Sequence, residues 1–299
     1  MKFGFAVPAY GKAVEAGIPE LLAAGEELGF ESVWWPDHIA VPDYATAVNL
    51  QTPFLEPLAA CAWALGRTTR MRVGTDVLVA PYRHPLAVAA MAGTMGALAG
   101  DRLVLGVGIG YLRGEFDVLG ADYDARAETT EDFLRTIREP PDGYSVIQGP
   151  TRVPVWVGGN NRRAQRRAAL LGDGWHPLWL PPDEYAIARD EILAIRREAG
   201  LEGPFSFSFS AGPTRFSEMP EGGWPPAPAR APEGSEFRYS PEFWVAPDGR
   251  PRLVGSTDDL IGDLRLLEGA GVDHVTLRFG TVDVAPYERF AAEVLPVFG

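Results

Sequence analysis

The sequence is poor in the residues that build disulfide and metal sites. Its 299 residues include one cysteine, Cys61, which excludes an intrachain disulfide framework and any CxxC motif and fits a reducing cytoplasm. The histidines are His38, His84, His176 and His274. They form no HxH or HExxH pattern, and the sequence has neither a GxSxG nor a Walker A motif. We therefore predict a site without a metal that relies on a bound cofactor.

Long apolar runs and basic charge are scarce as well. The longest uncharged run, residues 86–100, is shorter than a membrane span and predicts a buried amphipathic helix. The N-terminal segment reaches Pro8 and Gly11 before an apolar signal sequence could develop. A formal net charge of −13 argues against nucleic acid or an anionic membrane as a partner, because both require a basic surface. We expect a cytoplasmic protein that acts on a small molecule.

Short β-rich runs alternate with amphipathic runs of helical length. The strand candidates are residues 2–7, 32–35, 72–80, 102–109, 153–158, 174–176, 205–210 and 274–279. The helix candidates are residues 18–29, 56–66, 85–98, 126–138, 161–171, 183–199, 257–270 and 286–295. Eight strands, each followed by a helix, predict an α/β fold of the (β/α)8 TIM barrel type, as a single domain over residues 1–299. A doubly wound open sheet is the competing architecture.

The stretch 212–252 interrupts this regular spacing. Its nine prolines are too many for regular structure, and its aromatic residues are too many for a flexible linker. We interpret it as a packed insertion after the seventh strand candidate, which would emerge on the carboxyl-terminal face of the barrel. A lid over the site and a surface insertion without function are equal alternatives.

A basic cluster stands out in the sequence PVWVGGNNRRAQRRAALLGDG, residues 154–174. Four arginines, Arg162, Arg163, Arg166 and Arg167, form this cluster, and they follow Gly158, Gly159, Asn160 and Asn161. Arginines in a first helical turn oppose the helix dipole, and arginines four residues apart repel each other. A bound phosphate or carboxylate would reverse both effects, so we predict an anion site at the start of this helix. The alternative is a solvated basic face that neighbouring acids neutralise.

The glycine-rich stretch LVLGVGIGYLRGEF, residues 103–116, does not satisfy GxGxxG. Gly106, Gly108 and Gly110 alternate along a strand, so their missing side chains lie on one face. This pattern predicts the close approach of a flat ligand, with tight barrel packing as the alternative.

A carboxylate and an imidazole follow the second strand candidate in VWWPDHIAVP, residues 33–42. Asp37 and His38 would lie at the mouth of a barrel, where such a pair can orient, donate or accept a proton near neutral pH. A loop salt bridge or a helix cap is the alternative.

Three stretches together, residues 28–42, 72–120 and 154–175, resemble the bacterial luciferase-like monooxygenase superfamily. The resemblance is strongest to the subgroup that uses the deazaflavin coenzyme F420. It implies a (β/α)8 barrel that holds a flavin or deazaflavin ring over the strand ends. It also implies a non-proline cis peptide bond at Asp76–Val77, whose bulge supports the ring. Tyr111 stands where some deazaflavin members carry a glutamate.

The resemblance also implies roles for individual residues. His38 would donate or accept a proton, and Asp37 would orient the ring or the histidine. The cofactor contacts would be Asp76, Val77, Gly106, Gly108 and Gly110, with a phosphate turn at Gly158, Gly159, Asn160, Asn161, Arg162 and Arg163. We expect an aromatic, largely apolar substrate pocket near the strand ends. Its candidate residues are Trp34, Trp35, Tyr82, Tyr111, Trp175 and Trp179, together with His176.

These observations favour an oxidoreductase that transfers a hydride between coenzyme F420 and a small organic substrate. The first alternative is a monooxygenase that uses FMN reduced by a partner flavin reductase. The arginine cluster suits the longer anionic tail of the deazaflavin better than the single phosphate of FMN. The second alternative is a barrel that binds a flavin without catalysis. The resemblance further leads us to expect a homodimer.

Overall fold

The computed structural model describes residues 1–8, 17–43, 54–139, 141–144, 153–218, 245–247 and 249–299. The strands are β1 (Lys2–Ala6), β2 (Ser32–Trp35), β3 (Arg72–Thr75), β4 (Leu78–Val79), β5 (Leu103–Gly108), β6 (Val155–Gly158), β7 (Gly174–His176), β8 (Ser206–Pro213), β9 (Arg215–Phe216), β10 (Val254–Gly255) and β11 (His274–Arg278). The helices are α1 (Ile18–Glu27), α2 (Pro57–Arg67), α3 (Pro85–Ala99), α4 (Arg113–Leu119), α5 (Arg126–Thr136), α6 (Arg162–Leu171), α7 (Pro182–Glu198), α8 (Thr257–Gly269) and α9 (Ala285–Glu293).

The strands close into a parallel barrel. Their order is β3, β2, β1, β11, β8, β7, β6, β5 and β4, and β3 also pairs with β5. Because β3 and β4 occupy one position, the barrel has eight positions. The predicted (β/α)8 barrel is confirmed, and the open sheet is wrong.

Alternation along each strand sorts side chains between the barrel interior and the helical layer. On β1, Phe3 and Phe5 point outward, and Phe5 meets Tyr287 of α9 edge to face at 5.1 Å between ring centroids. Ala6 instead belongs to an inner cluster with Trp34 and Val104. The outward-pointing residues, which alternate with the inner positions along each strand, therefore form the hydrophobic core between the barrel and the helices.

The third strand candidate is divided. Residues 72–80 were expected to form one strand, but β3 ends at Thr75 and β4 begins at Leu78. The bond between Asp76 and Val77 is cis, as the resemblance implied. The segment 76–77 therefore interrupts the ladder at the carboxyl end of β3.

Two further elements differ from the sequence-based expectations. Helix α4 was not predicted, because its seven residues are few and include Gly114. The interval 212–252 is partly regular, since β8 extends to Pro213 and β9 pairs with β10. Residues 219–244 and 248 lie outside the described residues, so both alternatives for the insertion, a lid and a surface insertion without function, stay predictions. Within the described ranges, every helix is too short or too polar to cross a membrane.

Candidate active site

The segments that follow the carboxyl ends of the barrel strands form one face of the barrel, here called the mouth. The structure places there the predicted residues Asp37, His38, Asp76, Val77, Gly110, Tyr111, Gly159, Asn160 and Asn161. It brings three of the predicted site residues together, namely His38, Tyr82 and Tyr111. His38 and Tyr82 both contact Glu115, which was not among the predicted site residues, and Tyr111 contacts His38.

Glu115 is the hub of this mouth cluster. One carboxylate oxygen, Oε2, lies 3.0 Å from Nδ1 of His38 and accepts from the hydroxyl of Tyr82 at 3.1 Å. The other, Oε1, accepts from the backbone N–H groups of Ile39 and Ala40 at 2.5 and 3.0 Å. Four donors thus fix the carboxylate and the turn that carries the histidine.

The electrostatics of the cluster favour an ionised Glu115. Burial acts to raise its pKa, but the hydrogen bond and charge of His38 and the two backbone N–H donors outweigh burial and hold the pKa below its ordinary value. Burial and the neighbouring Glu115 charge raise the pKa of Tyr82. Tyr82 is therefore a fixed proton donor to the carboxylate near neutral pH.

The second ring nitrogen of His38 faces the mouth. Nε2 lies 3.3 Å from the hydroxyl of Tyr111, and the His38 ring is 4.8 Å from that of Phe54. The His38 side chain is 11% exposed, whereas that of Glu115 is 1% exposed. One nitrogen is thus anchored to an acid, and the other is placed to exchange a proton at the barrel mouth.

Asp37 does not share this cluster. Its carboxylate accepts from the Arg83 guanidinium at 2.6 and 2.9 Å and from the N–H of Val79 at 2.7 Å. Burial raises the pKa of Asp37, against the opposing hydrogen bonds from Arg83. The expectation that Asp37 orients His38 is therefore replaced by the salt-bridge alternative, and Glu115 holds the imidazole instead.

Asp76 lies beside the cis bond and accepts from three side chains. His176 Nε2 is 2.9 Å from Oδ1, while the Ser210 hydroxyl and an Arg278 nitrogen lie 3.0 and 2.5 Å from Oδ2. Burial acts to raise the pKa of Asp76, but the charge of Arg278 and the contacts with His176 and Ser210 hold the pKa well below its ordinary value. Asp76 is therefore an ionised anchor of the barrel interior.

Three of the predicted pocket residues are fully buried. Trp35 points outward from β2 into the helical layer near Trp63 of α2 and is fully buried. Trp175 also points outward, and its indole donates to the Gly159 carbonyl at 2.9 Å. His176 points inward and is held by Asp76. The predicted substrate-pocket role is therefore wrong for Trp35 and Trp175, because strand alternation turns them into the helical layer, and for His176, because its side chain is fully buried inside the barrel.

The other two tryptophans of the expected aromatic wall also differ in position. Trp34 fills the barrel interior, where its ring stacks on those of Trp156 and His176 at 5.1 and 5.0 Å. Trp179 follows β7 and is half-buried. Of the expected wall, Tyr82 and Tyr111 therefore line the described mouth cluster.

The three alternating glycines accommodate the divided third strand. A Cβ on Gly106 would lie 2.0 Å from the Thr75 carbonyl oxygen, and one on Gly108 would lie 2.5 Å from Val77. A Cβ on Gly110, which has a φ of 74°, would lie 2.7 Å from Val79. Tight barrel packing explains all three, so the flat-ligand interpretation is not needed for them.

The predicted phosphate turn lies at the start of α6. Asn161 caps the helix by accepting from the Ala164 N–H at 2.9 Å, and Asn160 bridges both backbone groups of Leu178. The N–H groups of Arg162 and Arg163 follow the cap, and both residues are exposed. This geometry leaves two donors and no acid in the first turn for an anion.

The basic cluster itself does not converge on one point. The Arg162 side chain is 86% exposed and reaches Glu191, whereas that of Arg167 is 3% exposed and reaches Glu131 on α5. Arg163 and Arg166 are exposed. Arg166 therefore fits the alternative of a solvated basic face, whereas Arg167 is buried in the helical layer and pairs there with Glu131.

An open groove of about 810 Å³ lies at the opposite end of the barrel. Its lining includes Arg72, Pro154, Asp173 and Ser206, which begin or precede strands. Because the active sites of barrel enzymes lie at the carboxyl ends of the strands, we place the candidate site at the mouth and not in this groove.

Residues 1–214 match the luciferase-like monooxygenase family. An uncharacterised protein of Mycobacterium tuberculosis is 32% identical over 212 residues, which are 62% of this chain and 73% of the relative. The 4-hydroxyprotoasukamycin monooxygenase of Streptomyces nodosus subsp. asukaensis is 34% identical over 142 residues, 48% of this chain and 35% of that protein. An F420-dependent glucose-6-phosphate dehydrogenase of Microbacterium testaceum is 29% identical over 199 residues, 58% and 56% of the two chains.

Solved structures share the same barrel. An F420-dependent secondary alcohol dehydrogenase, solved with an F420-acetone adduct, superposes with a TM-score of 0.75 at 19% identity and covers 98% of both chains. The monooxygenase RslO1 from Streptomyces bottropensis has a TM-score of 0.74 at 19% identity and covers 100% of both chains. At these identities the likeness shows the fold.

Proposed function

The chain belongs to the luciferase-like monooxygenase family, and on that premise we propose that it is an F420-dependent oxidoreductase. It transfers a hydride between the deazaflavin and a small organic substrate. The observation that carries this proposal is the His38–Glu115 pair at the barrel mouth, 3.0 Å apart. A hydride that enters or leaves a carbonyl carbon needs a proton at the oxygen, and this pair supplies a positioned acid or base.

His38, Glu115 and Tyr82 have separate roles in this proposal. Glu115 fixes the ring orientation at Nδ1, so that Nε2 gives or takes the proton near Tyr111. Tyr82 holds the second lone pair of the same carboxylate oxygen. The turn 38–40 cannot shift without breaking the two backbone hydrogen bonds to Glu115.

The described residues fit an anionic cofactor of this kind. Arg162 and Arg163 are exposed residues whose first-turn N–H groups are donors at the positive end of α6, and Gly159 with a φ of 112° sets the preceding turn. The segment 76–77 lies at the strand ends and offers a bulge for a flat ring. When bound, the deazaflavin supplies the hydride acceptor or donor.

A second candidate is an FMN-dependent monooxygenase that receives its reduced flavin from a partner reductase. The 34% identity to a monooxygenase over 142 residues supports this candidate. The same turn at α6 would hold the single FMN phosphate, and the half-buried aromatic rings near His38 would limit access of water.

A paired titration separates the candidates. We would titrate the purified protein at low salt with F420 and with FMN and follow fluorescence quenching. We expect F420 to bind at least about tenfold more tightly, which is roughly 1.4 kcal/mol. Preference for FMN would select the monooxygenase, and binding of neither would contradict both candidates.

The role of His38 is tested separately from binding. We expect His38→Ala to lower F420-dependent turnover of a small alcohol or ketone by about 10²-fold or more, because the proton loses its positioned partner. The Kd for F420 should stay within about twofold of wild type. His84→Ala is the control, since His84 is exposed and lies at the start of α3. Unchanged turnover of His38→Ala would remove this residue from the mechanism.

A further inference from the structure

A column of polar side chains runs inside the barrel and ends at the mouth. In order of contact its members are Trp34, Ser32, His274, Ser208, His176 and Asp76. The successive donor–acceptor distances are 2.8, 2.7, 3.1, 2.8 and 2.9 Å. All six side chains are buried. Every proton in this column therefore needs a hydrogen-bond acceptor inside the protein, and the next member of the column can supply one for each.

The first half of the column has one direction. An indole N–H can only donate, so Trp34 donates to the Ser32 hydroxyl oxygen. The Ser32 proton then points to Nε2 of His274 at 2.7 Å. A neutral His274 that accepts at Nε2 carries its proton on Nδ1 and donates to Ser208.

The second half continues the same direction. The Ser208 oxygen accepts from His274, so its own proton goes to Nδ1 of His176 at 2.8 Å. His176 then carries its proton on Nε2 and donates to Asp76, whose ionised carboxylate can only accept. A donor-only group begins the column and an acceptor-only group ends it, and no proton between them is left over.

The reverse arrangement fails inside the barrel. A proton on Nε2 of His274 would make Ser32 accept from both Trp34 and His274 and would leave the Ser32 hydroxyl proton without an acceptor in the column. Burial lowers the pKa of His274 well below its ordinary value, and the charges of Arg72 and Lys2 act in the same sense. The charge of Asp76 opposes them, and a Glu31 carboxylate oxygen lies 3.5 Å from Nε2.

The column acts on one cation at the mouth. Asp76 accepts from the Arg278 guanidinium through Oδ2, and the Ser210 hydroxyl oxygen lies 2.9 Å from the same nitrogen. The Arg278 side chain ends β11 and is 29% exposed, whereas that of Asp76 is 5% exposed. The carboxylate that His176 fixes therefore determines where this positive charge stands.

We infer that His176 is a positioning residue that, as its neutral Nε2–H tautomer set by the Trp34-to-Asp76 column, holds Asp76 and through it the Arg278 guanidinium at the barrel mouth. Its consequence for turnover rests on the proposed function. The histidine tautomers and the placement of Arg278 do not depend on the proposed function, because both are properties of the protein without cofactor.

The tautomers are read directly by nitrogen NMR of the uniformly 15N-labelled protein. The chain has four histidines, so spectra of His38→Ala and His84→Ala assign two of them and leave His176 and His274. We expect a protonated Nε2 for His176 and a protonated Nδ1 for His274 at neutral pH. An imidazolium signal or a protonated Nδ1 in neutral His176 would overturn the inference.

A pair of variants tests positioning. His176→Gln keeps a donor toward Asp76 and an acceptor toward Ser208, whereas His176→Phe keeps neither. In the cofactor-free protein, we expect the Arg278 Nε–H signal, assigned with Arg278→Lys, to persist in the glutamine variant and to be lost by fast exchange in the phenylalanine variant. Persistence of that signal in His176→Phe would contradict the inference without bearing on F420.

With the cofactor and substrate, turnover of the same pair gives a second readout. We expect His176→Gln to retain activity within about threefold of wild type and His176→Phe to lose about tenfold or more. Equal activity of the two variants would overturn the catalytic consequence of the positioning. Failure of every variant and of wild type to bind F420 would count against the proposed function, with the tautomer result unaffected.

Discussion

Two histidine–carboxylate pairs of almost equal length stand in different surroundings. His38 and Glu115 are 3.0 Å apart at the mouth, and His176 and Asp76 are 2.9 Å apart in the barrel interior. The imidazole of His176 is fully buried and bonded at both nitrogens, whereas that of His38 is 11% exposed and has Tyr111 at its second nitrogen. Distance alone therefore does not identify the pair that handles protons.

The difference lies in what the second nitrogen can do. For His176 the column of serines and His274 assigns every proton, so a change of protonation would strand a buried donor. For His38 the second nitrogen meets a tyrosine hydroxyl, which can either donate or accept. The interior pair is suited to hold a structure, and the mouth pair to exchange a proton.

The largest expected effect comes from breaking the interior pair. Asp76→Asn removes the charge that Arg278 and His176 share, so we expect the free energy of unfolding to fall by about 3–5 kcal/mol. Urea unfolding at neutral pH measures the loss. Asp190→Asn is the control, because that side chain is 76% exposed and its pairing with Arg189 should not change stability measurably. A variant as stable as wild type would show that the interior pair is not the anchor described above.

Breaking the mouth pair should affect turnover more than folding. Glu115→Gln keeps the shape of the side chain but removes the charge beside His38, so we expect turnover to fall by about 10²-fold. The unfolding free energy should fall by only about 1–3 kcal/mol, since the backbone donors of Ile39 and Ala40 keep an acceptor. Steady-state kinetics and urea unfolding of one preparation measure both effects.

The control for this variant is Glu268→Gln, whose carboxylate is partly exposed and pairs with Arg265 on α8. It should match wild type in both measurements. If Glu115→Gln lost stability by as much as Asp76→Asn and kept full turnover per folded molecule, the two pairs would have exchanged roles, and the comparison between them would be wrong.

The fold could be predicted from the sequence because its signal is local. Alternating strand and helix lengths determine the barrel, and seven of the eight barrel positions follow from runs such as residues 32–35 and 174–176. The break in the third strand has no such local signal, since Asp76 and Val77 lie within an otherwise regular apolar run. The resemblance located the cis bond, and periodicity did not.

The site was predictable only where function follows the end of a strand. His38, Tyr82 and Tyr111 were selected for that reason and do meet. Their hub could not be found this way, because Glu115 lies 77 residues after His38 and on a helix that was not expected. A signal was available in its position four residues after Tyr111. The polar column is still harder to predict from the sequence, because Ser32 and His274 are 242 residues apart.

The pH dependence of stability sharpens the comparison further. The pKa of Glu115 is below its ordinary value in the folded protein, so its contribution to stability is present above the unfolded pKa and is lost as the pH falls through the folded pKa. We therefore expect the stability difference between wild type and Glu115→Gln to narrow as the pH falls from about 6 to about 3. Urea midpoints at a series of pH values measure this, and a constant difference would contradict an ionised Glu115.

The smallest effect is expected at Arg162 and Arg163, the exposed arginines at the start of α6. Neither side chain is fixed by its surroundings as His38 and His176 are in the two histidine–carboxylate pairs. The Arg162 guanidinium is shared with Glu191, whereas Arg163 is exposed and has no acid partner among residues 153–218. We expect Arg163→Ala to weaken F420 binding about threefold to tenfold at low salt and Arg162→Ala to weaken it less, because a phosphate at the helix start feels the unshared charge more. Titrations at about 20 mM and about 500 mM salt should show both effects fading at high salt. Arg197→Ala, an exposed change in the last turn of α7, should leave binding unchanged. Equal affinities for all three variants would place the anion away from the start of α6.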